Sequence, residues 1–199
     1  MRTKRRTALG TAAAAAIALA AGGAAAAPAS ADGPRTPDHV AVSVQEQPWV
    51  ELEEGTTGYR VVAIGFFLNQ TGHFDGEPEL EFTAELTEAV EAYQSDRGLS
   101  ATGDVDTPTW ERLSDDIGLV RQGDPRSDLV TGLQWSLYDL GYDLSPDGRF
   151  GPATENAVTM FQKRKRIDAD GIIGPLTFRA MYAYGAQEAD NSEGGADHR

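Results

Sequence analysis

An internal duplication constrains this chain more than any other feature. Three blocks of sequence have a similar partner further along: 61–72 with 130–141, 89–94 with 157–162, and 103–113 with 171–181. The partners lie 69 residues apart in the first pair and 68 in the other two, so a single gap accounts for the whole alignment. Because one register holds over three separate blocks, the sequence predicts two copies of one supersecondary unit.

Each copy contains the signals of three helices. In the second copy, apolar residues recur with helical spacing from Val130 to Leu140, and Gly141 can end that helix in the left-handed conformation. Pro152 and Pro175 each follow a glycine and suit the first position of the next two helices. The predicted fold is all-α, with two tandem three-helix modules. A unit of about 60 residues buries only a modest core, so we expect the copies to pack together or to sit on a short linker.

The duplication and the flanking compositions divide the chain into six segments. They are a cleaved signal peptide (1–31), an extended leader arm (32–54), a degenerate first module (55–118), a linker (119–123), a second module (124–185) and a disordered acidic tail (186–199). In the leader arm, the alternating residues from Val40 to Val44 could form a strand or remain extended. The tail is almost free of apolar residues, which is typical of disorder.

The first 31 residues have the layout of a secretory signal peptide. Four basic residues precede an Ala-rich apolar run, and small residues at Ala29 and Ala31 suit cleavage before Asp32. The adjacent Arg5 and Arg6 do not decide between the general secretory and twin-arginine routes. We therefore expect a secreted protein, either extracellular or associated with the cell wall.

Charge and cysteine content narrow the possible partners. Without residues 1–31 the chain carries 13 basic and 31 acidic side chains, a formal charge of −18. Such a field repels nucleic acid and anionic membranes, so neither is an expected partner after signal cleavage. The sequence has no cysteine, which excludes disulfides, thiolate zinc sites and a lipid anchor on an N-terminal cysteine.

Three spaced motifs characterise the second copy: Val130-x-x-Leu133-Gln134-x-x-Leu137-x-x-x-Gly141, Asp147-Gly148-x-Phe150-Gly151-x-x-Thr154-x-x-Ala157-Val158-x-x-Phe161-Gln162, and Asp170-Gly171-Ile172-Ile173-Gly174-x-x-Thr177. In identity and spacing they resemble the bacterial peptidoglycan-binding domain family, the three-helix module commonly appended to wall amidases, muramidases and carboxypeptidases. The resemblance implies a non-catalytic domain that docks on cell-wall peptidoglycan and needs no cofactor.

The same motifs, with the residue that follows the first of them, supply the candidate residues for peptidoglycan contact. These are Tyr142, Asp147, Arg149, Phe150, Thr154, Asp170 and Thr177. A structural interpretation is open for most of them, because Asp-Gly pairs suit turns and the threonines can cap or tie a turn. Gln134 and Gln162 are expected to bond loop backbone, as buried amides must. Fold maintenance therefore accounts for these positions as well as ligand contact does.

The end of the middle helix of the second module is basic. Its four residues are Lys163, Arg164, Lys165 and Arg166. They can complement the negative end of the helix, or they can contact the carboxylates and phosphates of anionic wall polymers. Residues 124–185 carry a formal charge of −1, whereas residues 55–118 carry −10. Because wall polymers are anionic, the second module is the expected binder.

The first module departs from the family pattern. Thr102 stands where the second copy has Asp170, and Gly65 stands where it has Gln134. Of the motif residues at 147–154, only the aromatic Phe150 has a counterpart in the first module, which is Phe82. The first module is therefore expected to be a spacer, a stabilising neighbour or a binder of something else.

Neither a catalytic site nor a metal site is expected. His39, His73 and His198 are scattered over the leader, the first module and the tail, and no cysteine is present as a nucleophile. The modules, the leader and the tail account for residues 32–199 and leave none for a catalytic domain. We therefore expect a non-enzyme.

A second hypothesis is a secreted regulator or inhibitor that binds a wall hydrolase through the acidic first module. Its aromatic contact patch would consist of Trp49, Phe66, Phe67 and Trp110. Helical spacing also suits Phe67 and Trp110 to the core. This hypothesis predicts that a basic secreted enzyme co-purifies with the chain.

Overall fold

The computed structural model describes residues 35–187, and within that range the chain is all-α. Its helices are α1 (Asp38–Glu46), α2 (Tyr59–Thr71), α3 (Ala84–Asp96), α4 (Thr107–Ile117), α5 (Ser127–Asp139), α6 (Pro152–Arg164) and α7 (Pro175–Tyr182). The first copy contributes α2 to α4 and the second α5 to α7, which confirms the predicted architecture. The predicted signal peptide and residues 188–199 of the predicted tail lie outside the described residues.

Local chemistry sets the helix boundaries largely where the sequence predicts them. Pro152 and Pro175 occupy the first positions of α6 and α7. At the start of α4, the carboxylate of Asp106 accepts a hydrogen bond from the Thr109 N–H at 3.0 Å. One residue beyond the C-cap of α5, Gly141 adopts a φ of 93°, which a side chain would disfavour.

The leader is helical where a strand or an extended arm was expected. Residues 38–46 form α1, so the expectation for the run from Val40 to Val44 is wrong. These two valines are separated by four residues and therefore share one face of a helix. Val40 is buried, Val44 packs partly buried against the same core, and α1 packs on α7. The alternating pattern thus fits a strand, but its Val40 and Val44 also fit one face of a helix. The contact with α7 favours the helix over the strand.

The leader and the start of the predicted tail both belong to the folded body. The Asp168 N–H donates to Thr36 Oγ1 at 2.8 Å, and the Tyr184 N–H donates to the Pro48 carbonyl at 3.0 Å. The leader therefore runs along the second module before it enters the first. Ala186 is fully buried, so the folded part continues past the predicted boundary at residue 185.

An equivalent short antiparallel bridge occurs in each module. Leu52 pairs with Val105 in the first module, and Val120 pairs with Ile173 in the second. Each residue of the second pair lies 68 positions after its counterpart in the first pair. All four residues are buried. Val120, within the predicted linker 119–123, therefore pairs with the second module. In each module the bridge pairs the segment before the first of the three helices with the turn before the third helix.

The two modules pack through their first helices. Positions 63 and 132 are equivalent in the two repeats, and α2 and α5 approach each other there. A Cβ added at Gly132 would lie 2.9 Å from the Cβ of Phe66 and 3.4 Å from the carbonyl oxygen of Ala63. Only a glycine permits this approach. The expectation that the two copies pack together is confirmed.

An aromatic cluster fills the space between the modules. Trp49 stacks on Trp110 with ring centroids 5.6 Å apart, and Trp110 stacks on Tyr182 at 5.2 Å. Phe67 and Phe178 lie 5.9 Å apart in the same cluster. The buried apolar residues of both modules consequently form one continuous core. Each small module thereby gains buried apolar area that it lacks alone.

The predicted aromatic contact patch for a protein partner is wrong. Trp49, Phe67 and Trp110 are 5%, 1% and 0% exposed, because they pack against the second module. Phe66 is half-buried beside the close approach at Gly132. Helical spacing alone does not distinguish a surface patch from an inter-module core.

Candidate functional site

A buried glutamine organises the loop between α5 and α6. The side-chain N–H groups of Gln134 donate to Asp147 Oδ1 at 2.9 Å, to Thr154 Oγ1 at 2.9 Å and to the Arg149 carbonyl at 3.2 Å. Its Oε1 accepts from the Gly148 N–H at 2.8 Å. The amide thus ties both ends of the loop to one helix, as the sequence predicts.

The loop between α6 and α7 repeats this arrangement around Gln162. Its side-chain N–H groups donate to Asp170 Oδ1 at 2.9 Å, to the Ile172 carbonyl at 2.8 Å and to Thr177 Oγ1 at 3.2 Å. Its Oε1 accepts from the Gly171 N–H at 2.9 Å. The structure therefore divides the candidate residues between two glutamine networks in successive loops.

Both candidate threonines lie inside these networks. Thr154 is 2% exposed and Thr177 is fully buried, and each hydroxyl accepts from a glutamine amide. A ligand at the surface of this structure cannot reach them. In this structure they satisfy buried amide donors, which would otherwise destabilise the fold.

Two candidate aromatic residues are also buried. Phe150 is 3% exposed and belongs to the core, and Tyr142 is 8% exposed. The Tyr142 ring lies 6.2 Å from the ring of Phe161, with the guanidinium of Arg164 5.0 Å from its centroid. Burial raises the pKa of the Tyr142 hydroxyl, and the charge of Arg164 partly opposes that shift. Tyr142 thus packs the end of α5 against α6.

Accessible candidate side chains remain in the two turns. Asp147 and Arg149 are exposed and Asp170 is half-buried. The hydrogen bond from Gln134, followed by one from the Arg149 N–H, holds the pKa of Asp147 below its usual value. An ionised, oriented carboxylate next to an exposed guanidinium can bind both donors and acceptors of a polar ligand.

Only part of the basic cluster is available at the surface. Lys165 is 9% exposed and donates to the Gly185 carbonyl, while Arg164 donates to the Leu140 carbonyl at 3.3 Å. These two cations therefore stabilise the fold. Lys163 and Arg166 are exposed, and Arg166 adopts a φ of 57° just past the end of α6. The exposed cations of the cluster are therefore Lys163 and Arg166.

Helix α5 also carries an exposed aromatic pair that is not among the candidates predicted from the sequence. Trp135 is 40% exposed and Tyr138 is 55% exposed, and their rings meet edge to face with centroids 5.9 Å apart. The pair begins one residue after the buried Gln134, on the outer side of the same helix. The signal was available, because Trp135 and Tyr138 interrupt the buried stripe with the three-residue spacing of helix neighbours.

The first module keeps one of the two networks. Gln94 donates to Thr109 Oγ1 at 2.9 Å and accepts from the Gly103 N–H at 3.0 Å, as Gln162 does from Gly171. The counterpart of the Gln134 network is replaced by packing. A Cβ at Gly65 would lie 2.8 Å from the Cβ of Pro78, so the loop lies directly on α2.

That loop borders an acidic cleft in the first module. The cleft has a volume of about 220 Å³. The carboxylates at its rim come from Glu77, Glu79, Glu81 and Glu85. The two modules therefore differ in surface chemistry at corresponding loops.

Neither a metal site nor a membrane-spanning helix occurs within residues 35–187. Across residues 35–187, no three His, Cys, Asp or Glu side chains are grouped so that they could hold a metal ion. None of the helices in this range has the length and apolar character needed to cross a bilayer.

The sequence of this chain is similar to parts of bacterial cell-wall enzymes. Over 114 residues the chain is 37% identical to the N-acetylmuramoyl-L-alanine amidase CwlM of Mycobacterium tuberculosis, which covers 51% of this chain and 27% of the amidase. Over 42 residues it is 52% identical to the zinc D-Ala-D-Ala carboxypeptidase of Streptomyces albus G, with coverages of 21% and 16%. The chain therefore spans about a quarter or less of the length of these relatives.

The family model of the peptidoglycan binding domain matches the chain twice, at residues 57–113 and 126–181. The two matches coincide with the two sets of three helices. Together they cover more than half of the sequence. This chain therefore belongs to the peptidoglycan-binding domain family, of which it carries two tandem copies.

Proposed function

We propose that this chain is a non-catalytic protein that binds cell-wall peptidoglycan, chiefly through its second module. The observation that carries the proposal is the family match in two tandem copies. The relatives bear the names of an amidase and a carboxypeptidase, and this chain matches only a minor part of each. The matched part of this chain is the binding domain, which supports a binding role.

Surface charge supports the preference for the second module. Residues 124–185 carry a formal charge of −1 and residues 55–118 carry −10. Peptidoglycan stems and associated wall polymers bear carboxylates and phosphates, which a strongly acidic surface repels. The acidic cleft of the first module lies where the second module has its Gln134 loop.

The proposed contact surface consists of the accessible groups of the second module. Asp147, Arg149 and Asp170 offer polar contacts, and Lys163 with Arg166 offers cations for anionic wall polymers. We add the Trp135–Tyr138 pair as a platform for a sugar ring, since exposed aromatic faces can cover the apolar face of a pyranose. The N-terminal sequence supports secretion into the wall compartment.

Co-sedimentation with purified, protein-free sacculi tests the proposal. The assay uses residues 32–199. The modules share one core, so a single module would expose apolar residues that are buried in the whole protein. We expect pelleting with intact sacculi and with sacculi stripped of teichoic acids. Absence of pelleting with both would refute wall binding.

A second candidate function is binding of a wall hydrolase by the first module. The observation that favours it is the acidic cleft, whose four exposed glutamates could face a basic protein surface. A pull-down from culture supernatant tests it, with the quadruple Gln variant of Glu77, Glu79, Glu81 and Glu85 as the control. Recovery of the same proteins by both forms would count against the hypothesis.

A further inference from the structure

The chain contains four aspartates that are followed directly by glycine, at 32–33, 75–76, 147–148 and 170–171. Such pairs are the sites at which a peptide backbone most readily rearranges, because no side chain shields the glycine nitrogen from the neighbouring carboxyl group. The first pair lies outside the described residues, and the other three lie in loops between successive helices. The three loops differ in the hydrogen bonds that hold the reacting groups.

The rearrangement needs only the residue pair itself and water. The glycine nitrogen bonds to the aspartate Cγ, the carboxyl hydroxyl leaves with the amide proton as water, and a five-membered succinimide ring forms. Water then adds to one of the two ring carbonyls and opens the ring. When it adds to the former main-chain carbonyl, the chain runs on through Cβ and Cγ, and an isoaspartyl residue with one additional backbone atom results. The nitrogen and Cγ must first meet, so any bond that fixes either group slows the reaction.

The two described pairs of the second module are held away from this reaction by the glutamine networks. The Gly148 N–H donates to Gln134 Oε1 at 2.8 Å, and the Gly171 N–H donates to Gln162 Oε1 at 2.9 Å. The aspartate carboxylate of each pair accepts from Nε2 of the same glutamine, at 2.9 Å in both loops. Both reacting groups must therefore break hydrogen bonds before they can meet.

The pair in the first module has no such brace. Within the described part of the chain, no hydrogen bond or ion pair engages the Asp75 carboxylate or the Gly76 N–H. Asp75 is exposed, so water can reach the ring and open it. Exposure alone does not set this pair apart, because Asp147 is exposed as well. The difference lies in the brace, since the first module has Gly65 where the second has Gln134.

We propose that Asp75 is the position at which this protein converts spontaneously to an isoaspartyl residue, and that the glutamine networks protect Asp147 and Asp170. The contrast among three equal residue pairs carries this inference, because two are braced by a buried glutamine and one is not. The hydrogen bond from Gln134, followed by one from the Arg149 N–H, also holds the pKa of Asp147 below its usual value. Its carboxyl group is therefore less often in the protonated form that loses water. The inference does not depend on wall binding.

Rearrangement at Asp75 changes the loop that borders the acidic cleft of the first module. Asn69 Nδ2 donates to the Gly76 carbonyl at 3.1 Å, and Pro78 lies directly against Gly65. The additional backbone atom enters the chain just before these two contacts and is expected to strain them. We therefore expect the isoaspartyl form to unfold at a lower temperature than the parent.

Peptide mapping by mass spectrometry tests the proposal on the protein that spans residues 32–199. The protein is incubated in heavy-oxygen water, which labels each aspartate whose ring has opened, and electron-transfer fragmentation assigns the isoaspartyl position. In the native protein we expect labelling of Asp75 at least about tenfold faster than of Asp147 or Asp170, whose hydrogen bonds must break first. In denaturant the networks are absent, so the three rates should agree within about threefold.

Two variants provide the second readout. Gln134→Leu removes one brace, so we expect labelling of Asp147 to become at least about tenfold faster than in the parent. The rate at Asp170 in the same sample is the internal control, since that pair keeps Gln162 and reacts faster only if the module unfolds. Asp75→Glu keeps the charge but requires a six-membered ring, so labelling at this position should disappear.

Equal labelling of the three aspartates in the native protein overturns the proposal, and so does a native protein in which Asp75 stays unlabelled. An unchanged rate at Asp147 in Gln134→Leu, with Asp170 still protected, overturns the protective role of the glutamine. If Gln134→Leu unfolds and labels Asp170 as well, the comparison of native and denatured parent protein decides. Sedimentation with sacculi enters none of these outcomes, so wall binding stands or falls separately.

Discussion

Gly132 of α5 faces the carbonyl oxygen of Ala63 on α2, and the two residues occupy equivalent positions in the two repeats. The modules therefore meet at a nearly symmetric point, where a side chain on either helix limits the approach. Trp110 and Phe178, a second equivalent pair, lie 6.2 Å apart in the same interface. The duplication has thus produced a pair of modules that bury each other's first and third helices.

The first prediction concerns the close approach at Gly132. Replacing a helical glycine with alanine normally stabilises a helix by up to about 1 kcal/mol. Here the new Cβ would lie 2.9 Å from the Cβ of Phe66, so we expect Gly132→Ala to destabilise the protein by about 1–3 kcal/mol. Thermal unfolding followed by circular dichroism measures this change. A melting temperature above that of the parent would contradict the proposed packing.

The second prediction concerns the glutamine networks. Gln162→Leu removes the hydrogen bonds that this amide makes with the Asp170 carboxylate, the Ile172 carbonyl and the Gly171 N–H. Because unsatisfied buried groups cost about 1–3 kcal/mol each, we expect a loss of at least about 2 kcal/mol of unfolding free energy. Chemical denaturation measures it.

Gln122→Leu is the matched control for that substitution, because Gln122 is exposed. Its unfolding free energy should stay within about 0.5 kcal/mol of the parent. Equal stability of the two variants would show that Gln162 is dispensable to the fold and would return Thr177 to the set of possible ligand contacts.

The third prediction concerns the accessible part of the basic cluster. Lys163→Glu with Arg166→Glu should weaken sacculus binding about two- to fivefold at low ionic strength, with a smaller effect at high salt. Both side chains are exposed, so we expect the thermal melt to change much less than sacculus binding. Arg121→Glu is the control, as an exposed cation elsewhere in the second module. If the control weakens binding as much, the effect reports overall charge rather than a contact.

The fourth prediction concerns acid stability. Burial acts to raise the pKa of Asp116, but hydrogen bonds from Arg97 at 2.6 Å and from the Tyr93 hydroxyl at 3.0 Å outweigh it and hold the pKa below its usual value. A depressed carboxyl pKa stabilises the fold above the unfolded pKa of about 4 and loses that contribution as pH falls through the folded pKa.

Asp116→Asn should therefore flatten the loss of stability below about pH 4, although it lowers stability at neutral pH. The measurement is the unfolding free energy from pH 7 to pH 2. Asp75→Asn, at an exposed position, is the control and should leave the pH profile unchanged. A profile of Asp116→Asn that is parallel to the parent would contradict the assigned linkage.

Much of the site could be derived from the sequence, because its signals are local. The spacing of Gln162, Asp170 and Thr177 within one loop and its flanking helices is sufficient to predict a tied turn. The sequence could not show which of these residues a ligand can reach. Exposure depends on what packs over each side chain, and Thr177 and Tyr142 are covered by neighbours in other helices.

The sequence by itself determined the duplication, the number and order of the helices in each copy, and the turns that separate them. These features depend on periodicity and capping within a few residues, which a single sequence contains. Only the tertiary structure decided that the leader forms α1, that Val120 of the expected linker pairs with the second module, and that the aromatic residues form an interface. The Trp110 indole donates to the Val50 carbonyl, 60 residues away, at 2.7 Å. Such pairings arise because two small modules must cover each other's apolar faces, and no local pattern specifies which distant residue does so.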